Sequence, residues 1–131
     1  GAAPDAGPAR AHATLREALD AGRLSLAAHP LWTSCRFFRD MPCELRAELA
    51  QAKVVFIKGD ANYRRLIGDA RWEVTTSLAA ASAGFPAPRI AVRTLKSDPL
   101  VGLPPGLVAR LDAEDAQWRI NGRRGVIQVG L

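Results

Sequence analysis

Short apolar runs alternate along the chain with stretches in which apolar residues recur at helical spacing. Residues 54–57, Val-Val-Phe-Ile, form a β-branched run between a lysine and a Lys-Gly pair, which is typical of a fully buried strand. Residues 43–52 place Leu45 and Leu49 four positions apart behind a proline, which predicts a helix just before that strand. A buried strand between two helices indicates a parallel βαβ arrangement.

The rest of the pattern predicts further elements of the same two kinds. Residues 89–96, Arg-Ile-Ala-Val-Arg-Thr-Leu-Lys, indicate a second strand, and Val126, Ile127 and Val129 indicate a last strand after an Asn-Gly turn. Further helices are predicted within 13–26, 77–84 and 101–115. We therefore predict an α/β fold with a mostly parallel sheet flanked by helices.

The composition of the N-terminal residues and the length of the chain predict the bounds of one folded domain. Residues 1–10 are mostly Ala, Gly, Pro and Asp, which predicts a flexible leader ahead of a folded part at 11–131. A chain of 131 residues has the length of one domain, and 48% hydrophobic residues are enough for a core. No apolar run approaches the roughly 20 residues that cross a bilayer, so we expect no membrane contact.

Charge and cysteine content narrow the class of partner. The net charge of +5 suits an anionic partner. Basic residues come singly or in pairs and aromatic residues make up only 6%, so the pattern disfavours nucleic-acid binding. Cys35 and Cys43 match neither a disulfide scaffold nor a Cys-x-x-Cys zinc site. Two free thiols indicate a reducing compartment, and we expect a cytoplasmic protein.

Asp60 follows the predicted strand at the point where a helix begins. In open α/β sheets, ligands gather at the carboxyl ends of the strands. An ionised carboxylate with the amide oxygen of Asn62 nearby suits a hard divalent cation such as Mg²⁺ or Mn²⁺. The alternative is that Asp60 caps the helix by accepting backbone N–H groups. The residues alone leave both interpretations open.

A second candidate lies at the end of the strand at 89–96. Arg93, Thr94 and Lys96 supply two cations and a hydroxyl, which together can clamp a phosphate group. Side chains alternate along a strand, so Arg93 and Lys96 converge only if the strand stops near Thr94 and the chain turns. The alternative is an edge-strand arginine with a solvated lysine.

The loop Asn-Gly-Arg-Arg-Gly at 121–125 is a third candidate. Glycines on both sides of Arg123 and Arg124 allow the backbone to approach a ligand closely. The alternative is an exposed hairpin tip. The chain contains no P-loop, no dinucleotide-binding glycine pattern, no nucleophile elbow and no His-Glu-x-x-His motif. A site therefore depends on these three strand-end elements coming together.

Four segments, in this order, resemble the C-terminal part of the damage-control phosphatase family, once called DUF89. They are residues 56–69, which contain Lys-Gly-Asp-Ala-Asn-Tyr, residues 85–98, which contain Arg-Thr-Leu-Lys, Val-Gly-Leu-Pro-Pro-Gly at 101–106 and Gly-Arg-Arg-Gly-Val-Ile-Gln at 122–128. The Arg-Thr-x-Lys motif is similar to that of one subfamily. The resemblance extends over about residues 25–131.

The resemblance implies an α/β/α sandwich and a phosphatase that removes phosphate from small metabolites such as fructose phosphates. It implies dependence on Mn²⁺ or Ni²⁺, with Co²⁺ or Mg²⁺ as alternatives. Asp60 falls on a metal-ligating aspartate of the family, and Arg93, Thr94 and Lys96 fall on its substrate-phosphate motif, so Asp60 and Lys96 are the catalytic candidates. Arg123 aligns with a substrate-binding lysine of the family.

One departure from the family concerns the metal site. The resemblance implies an adjacent Asp-Asn pair as further metal ligands, and no Asp-Asn dipeptide occurs in this sequence. The chain is therefore expected to be the C-terminal catalytic portion of a larger domain, with the N-terminal half of the enzyme as its partner. The alternatives are a non-catalytic anion-binding or interaction module, and, by family association alone, a protein carboxyl methyltransferase.

Overall fold

The structure is a computed structural model that describes residues 6–131. The chain divides into two compact units, Gly1–Ser34 and Cys35–Leu131. Its helices are α1 (Ala6–Asp20), α2 (Cys43–Leu49), α3 (Asp60–Leu66), α4 (Leu78–Ala81) and α5 (Leu107–Glu114), and its strands are β1 (Val55–Lys58), β2 (Arg89–Thr94) and β3 (Gly125–Gly130). Short 3-10 helices lie at Pro30–Thr33 and Phe38–Asp40. Within 6–131, no helix has both the length and the apolar character needed to span a membrane.

Helix α1 begins earlier than the helix predicted at 13–26. Residues 6–10, which belong to the predicted leader, form its first turns. Alanine is the strongest helix former, and Pro8 lies in the first turn, where its missing N–H has no helical partner to lose. The rest of the predicted leader, residues 1–5, lies outside the described residues.

The three strands form one sheet in the order β1-β2-β3. Strands β1 and β2 are parallel, whereas β2 and β3 are antiparallel, so the described sheet is mixed. Strand β3 runs the other way because the segment between β2 and β3 leaves and returns at the same end of the sheet. There the Leu95 N–H donates to the Arg124 carbonyl at 2.8 Å, and Thr94 pairs with Gly125. The α/β class is confirmed.

The core lies on one face of the sheet. Helices α3 and α4 pack on this face, where Ile57 and Ala91 are 5% and 0% exposed. The largest fully buried side chains among the described residues are Trp118, Tyr63, Ile67, Leu95 and Val101.

The prediction that residues 54–57 form a fully buried strand is wrong for the part of the chain that the structure describes. Phe56 is 69% exposed and Val54 is 41% exposed, while Ile57 between the sheet and α3 is buried. Side chains alternate along a strand, and the described helices cover only the face that Ile57 occupies.

Gly59 places the start of α3 at the carboxyl end of β1. Its φ and ψ of 100° and 160° lie in a region open almost only to glycine, and its N–H donates to the Val92 carbonyl at 2.8 Å. The chain therefore turns out of β1 while still bonded to β2. This turn sets Asp60 beside the end of β2.

Candidate active site

The carboxyl ends of β1 and β2 form one wall of an open concavity of about 470 Å³. The polar side chains that line it are Lys58, Asp60, Arg93, Thr94 and Lys96. The structure thus brings four of the five predicted site residues to one place. Parallel neighbours end at the same sheet edge, which is why residues more than thirty positions apart meet here.

The Asp60 carboxylate faces β2 rather than capping helix α3. Its Oδ1 lies 2.8 Å from Nη2 of Arg93, and the hydroxyl of Ser97 donates to the same carboxylate at 3.0–3.1 Å. The position ahead of the helix is Gly59, which has no side chain to cap with. Asp60 therefore holds a charged group, and that group is an arginine of the protein itself.

Arg93 is a buried connector. Its side chain is 0% exposed, and its terminal nitrogens donate to the carbonyl oxygens of Pro99 and Ser97, the latter at 2.6 Å, and to the Ser97 hydroxyl at 3.0 Å. Its guanidinium lies 4.5 Å from the centroid of the Tyr63 ring. Burial lowers the pKa of Arg93 from its ordinary value, and the Asp60 carboxylate opposes that shift. Arg93 is thereby tied to internal partners, and its contact with a substrate phosphate stays a prediction.

Thr94 and Lys96 lie on the other side of the chain from Arg93. Strand β2 ends at Thr94, which is where the sequence analysis required it to end if Arg93 and Lys96 were to converge. However, Leu95 is buried and Lys96 is exposed, so side chains continue to alternate between the two faces beyond the end of the strand. The groups meet in the concavity because Asp60 reaches Arg93 from the neighbouring element. The exposed cations that line the concavity are Lys58 and Lys96.

Arg123 does not line this concavity. It lies beside Glu114, Asp115 and Arg124 in a separate one. Arg124 is bound there in ion pairs to Asp115 at 3.0 Å and Glu114 at 3.3 Å. The nearby acids make this second concavity a weaker place for an anion than the first.

Gly125 has a structural reason to be glycine. A Cβ built on it would lie 2.8 Å from the Arg93 carbonyl oxygen, closer than packed atoms approach. The interpretation that this glycine lets the backbone approach a ligand is therefore not required. It lets β3 approach β2 instead.

Tyr63 anchors the loop that follows β2. Its hydroxyl donates to Oε1 of Gln128 at 2.8 Å and accepts from the Val101 N–H at 3.2 Å. Burial raises the pKa of the Tyr63 hydroxyl, so it stays neutral and keeps its proton for Gln128. The loop carrying Ser97 is thus fixed from both sides, by Arg93 at one end and Tyr63 at the other.

Comparison with known proteins identifies the family. A family model described as the damage-control phosphatase ARMT1-like domain matches residues 5–111. The chain belongs to this family. The resemblance noted from the sequence motifs is therefore confirmed, and the matched range includes Lys58, Asp60 and the segment 93–97 but not β3 or Arg123.

Curated relatives of this ARMT1-like chain carry the name damage-control phosphatase ARMT1. The protein of Mus musculus is 41% identical over 111 residues, which are 82% of this chain and 25% of that protein. The protein of Rattus norvegicus is 44% identical over 104 residues, covering 76% of this chain and 24% of that protein. The chain spans about a quarter of the length of the relatives it matches.

The described residues of this ARMT1-like chain do not form a metal site by themselves. Among residues 6–131, no group of three or more His, Cys, Asp or Glu side chains is placed to hold a metal ion. Asp60 offers one carboxylate, and that carboxylate is already bound by Arg93 and Ser97. A divalent cation of the Mn²⁺ type needs several oxygen ligands, so the others would have to come from outside these residues.

Ser97 is a site residue that sequence reasoning missed. Its partner Asp60 lies 37 positions away along the chain. No local pattern marks such a contact. The only signal was the hydroxyl of Ser97 itself, two residues after Leu95, on a turn that brings the chain back toward the end of β2.

Replacing Ser97 by alanine is expected to lower the free energy of unfolding by about 1–2 kcal/mol, since a hydrogen bond to a charged group is lost. Urea denaturation followed by circular dichroism measures the change. Ser97→Thr keeps the hydroxyl and should stay close to the unmodified chain. Equal losses in both variants would show that the hydroxyl is not what matters.

Proposed function

We propose that this chain is the C-terminal part of a metal-dependent phosphatase that hydrolyses phosphate monoesters of small metabolites, such as sugar phosphates. The observation that carries the proposal is the Asp60 carboxylate, fixed by a buried arginine at the mouth of a concavity with two exposed lysines. The names of the relatives support a phosphatase. We place its action in the cytoplasm, which suits its two free, exposed cysteines.

Lys96 and Thr94 are the proposed substrate contacts. A phosphate monoester carries close to two negative charges, and transfer of its phosphoryl group to water spreads charge over the phosphoryl oxygens. An exposed lysine beside the concavity stabilises that charge, and the Thr94 hydroxyl donates to a further oxygen. Lys58 adds a second cation at the same edge. Arg123, with two acids beside it, would contribute less than Lys96.

Asp60 is the proposed contribution of this chain to the metal site. A bound Mn²⁺ or Ni²⁺, with Co²⁺ or Mg²⁺ as alternatives, would neutralise phosphoryl charge and make the attacking water more acidic. Asp60 would supply one oxygen, and the part of the enzyme beyond this chain the others. Arg93 and Ser97 hold the carboxylate in a single orientation, so we propose Arg93 primarily as a positioning residue.

A second candidate is an anion-binding module without catalysis. The single carboxylate among the exposed lysines favours it for this chain on its own. The carboxyl methyltransferase alternative has no residue in the concavity to support it beyond the family association. The two leading candidates differ in whether phosphate is released or only bound.

A chimera tests the proposal: this chain replaces the matched quarter of the mouse damage-control phosphatase ARMT1. We expect the chimera to release inorganic phosphate from fructose 1-phosphate with Mn²⁺ or Ni²⁺, and to stop after chelation. The unmodified mouse protein is the positive control.

Two outcomes would contradict the proposal. One outcome is a folded chimera that binds phosphate but releases no phosphate from the substrate, while the mouse protein is active. This result would favour the anion-binding module. Full activity after exhaustive chelation would show that the reaction needs no metal, and it would exclude the proposed role of Asp60 as a metal ligand.

A further inference from the structure

Gln128 is a polar residue in an otherwise apolar row of the sheet, on the face where α3 and α4 pack. The strand register places Gln128 beside Ala91 of β2, and it places Ala91 beside Ile57 of β1. Both of these neighbours are buried. A carboxamide in such surroundings lowers stability unless its polar groups are hydrogen-bonded. The position of Gln128 therefore requires specific partners.

Those partners are the Tyr63 hydroxyl and the backbone of Val101. Oε1 of Gln128 accepts from the Tyr63 hydroxyl at 2.8 Å, and Nε2 of Gln128 donates to the Val101 carbonyl oxygen. The Val101 N–H donates in turn to the Tyr63 hydroxyl at 3.2 Å. A Cβ built on Gly102 would lie 2.6 Å from Nε2 of Gln128, so the glycine leaves the space that the carboxamide occupies. Gln128 thus joins β3, α3 and the loop after β2 in one closed cycle of hydrogen bonds.

The tyrosine of this cycle also packs against Arg93. The Arg93 guanidinium lies 4.5 Å from the centroid of the Tyr63 ring, and Nε of Arg93 has no hydrogen-bond partner among the described residues. The ring and the acceptors of the two terminal nitrogens therefore set the orientation of the guanidinium. These acceptors are Asp60, Ser97 and Pro99. Two of them lie in the loop 97–101, which Gln128 holds at its far end.

Asp60 depends on both parts of this arrangement. Arg93 lies 2.8 Å from its carboxylate, and the Ser97 hydroxyl donates to the same carboxylate at 3.0–3.1 Å. Tyr63 follows Asp60 by three positions on α3, so the two side chains lie on the same side of the helix. A displacement of the tyrosine or of the loop would therefore move the groups that bind the carboxylate.

We propose that Gln128 is a positioning residue for the Asp60 carboxylate, and that it acts through Tyr63 and the loop 97–101. Its carboxamide fixes the hydroxyl of the tyrosine and the end of the loop. The tyrosine ring and the loop then fix the arginine that pairs with Asp60. Gln128 itself lies outside the lining of the concavity. The effect on Asp60 holds whatever reaction the site performs, whereas its consequence for metal binding rests on the proposed function.

The carboxylate signal of Asp60 tests the proposal without using activity. Nuclear magnetic resonance of the 131-residue chain, prepared with isotope-labelled aspartate, reports the surroundings of each carboxylate, and Asp60→Asn identifies the signal. Gln128→Met keeps the length of the side chain but loses both polar groups. We expect it to move the Asp60 signal by more than the linewidth. The signal of Asp69, which pairs with Arg64 away from the concavity, should stay in place.

Gln51→Met is the matched control. Gln51 is exposed just after α2, and its amide donates to the Ala47 carbonyl oxygen at 3.4 Å. The same substitution there should leave the Asp60 signal where it is. A general effect of replacing a glutamine by methionine would appear in both variants.

Tyr63→Phe tests the same connection from the other side, and it does so even if Gln128→Met fails to fold. The phenylalanine ring can still pack against Arg93, but the hydroxyl that donates to Gln128 is lost. We expect the Asp60 signal to move in this variant too. The double variant should move it no further than either single one, because both substitutions break the same hydrogen bond.

Gln128→Met also has an expected effect on the chimera. The Mn²⁺ concentration for half-maximal phosphate release should rise by about 10-fold, because residues that orient a metal ligand change metal affinity by at least that much. KM for fructose 1-phosphate should change little, since the proposed substrate contacts Thr94 and Lys96 lie on the other side of the chain from Arg93. Gln51→Met should change neither value.

The outcomes separate the positioning role from the proposed function. An Asp60 signal that stays in place in both Gln128→Met and Tyr63→Phe would overturn the proposal, and a moved Val101 amide signal in the same variants would confine Gln128 to holding the loop. If the Asp60 signal moves but the chimera releases no phosphate, the positioning role stands and the proposed function fails.

Discussion

Replacing Asp60 by asparagine is expected to reduce phosphate release by the chimera by about 100-fold or more. Asparagine keeps the size and one oxygen but removes the negative charge that faces Arg93 and that would face a metal ion. The loss should appear in kcat at saturating Mn²⁺, measured as phosphate released from fructose 1-phosphate. Raising the metal concentration should restore activity only in part.

Asp69→Asn is the matched control. Asp69 also pairs with an arginine, Arg64, at 2.6 Å, but it lies outside the concavity. Its φ of 50° is one that asparagine tolerates well. We expect unchanged kcat in this variant. Equal activity of Asp60→Asn and the unmodified chimera would remove Asp60 from the mechanism, provided that both have the same thermal midpoint.

Replacing Arg93 by alanine is expected to lower the free energy of unfolding of the chain by about 3–5 kcal/mol. The substitution removes the cation that pairs with Asp60 and the donor to the carbonyl oxygens of Ser97 and Pro99, and it removes the group that packs on the Tyr63 ring. The shift in the urea midpoint at constant slope measures the loss.

Arg110→Ala is the control for removing an arginine. Arg110 is an exposed residue of α5 whose nearest acid, Glu114, lies 3.9 Å away. We expect a change within about 0.5 kcal/mol. A similarly small change for Arg93→Ala would mean that the Arg93 guanidinium is not the connector between β2 and the following loop.

The sequence pattern predicted where the strands lie along the chain better than it predicted their direction or the burial of their two faces. Strand β2 was predicted at 89–96 and found at Arg89–Thr94, because β-branched runs between turn residues are local features. The antiparallel direction of β3 was not predictable, since it depends on where a 30-residue connection returns. The exposure of one face of β1 was not predictable, because an apolar run does not show whether other elements pack on both faces of the strand.

The candidate site was predicted in part. Asp60 and Arg93 were placed at neighbouring strand ends, and the structure joins them directly. The direction of the Arg93 guanidinium was not predictable, because it depends on carbonyl groups of a turn whose path the sequence does not specify. Arg123 was placed by alignment to a family motif, and the loop conformation sets it beside acids instead.

The four residues at 93–96 divide into a buried pair and an exposed pair. Arg93 and Leu95 are each 2% exposed and belong to the interior, whereas Thr94 and Lys96 are exposed at the concavity. Substitutions of Thr94 or Lys96 can therefore change the surface of the concavity and leave the buried contacts in place, whereas a substitution of Arg93 would disturb both the interior and the orientation of Asp60. A single strand end thus combines two positions that are free to vary with two positions that the architecture holds fixed.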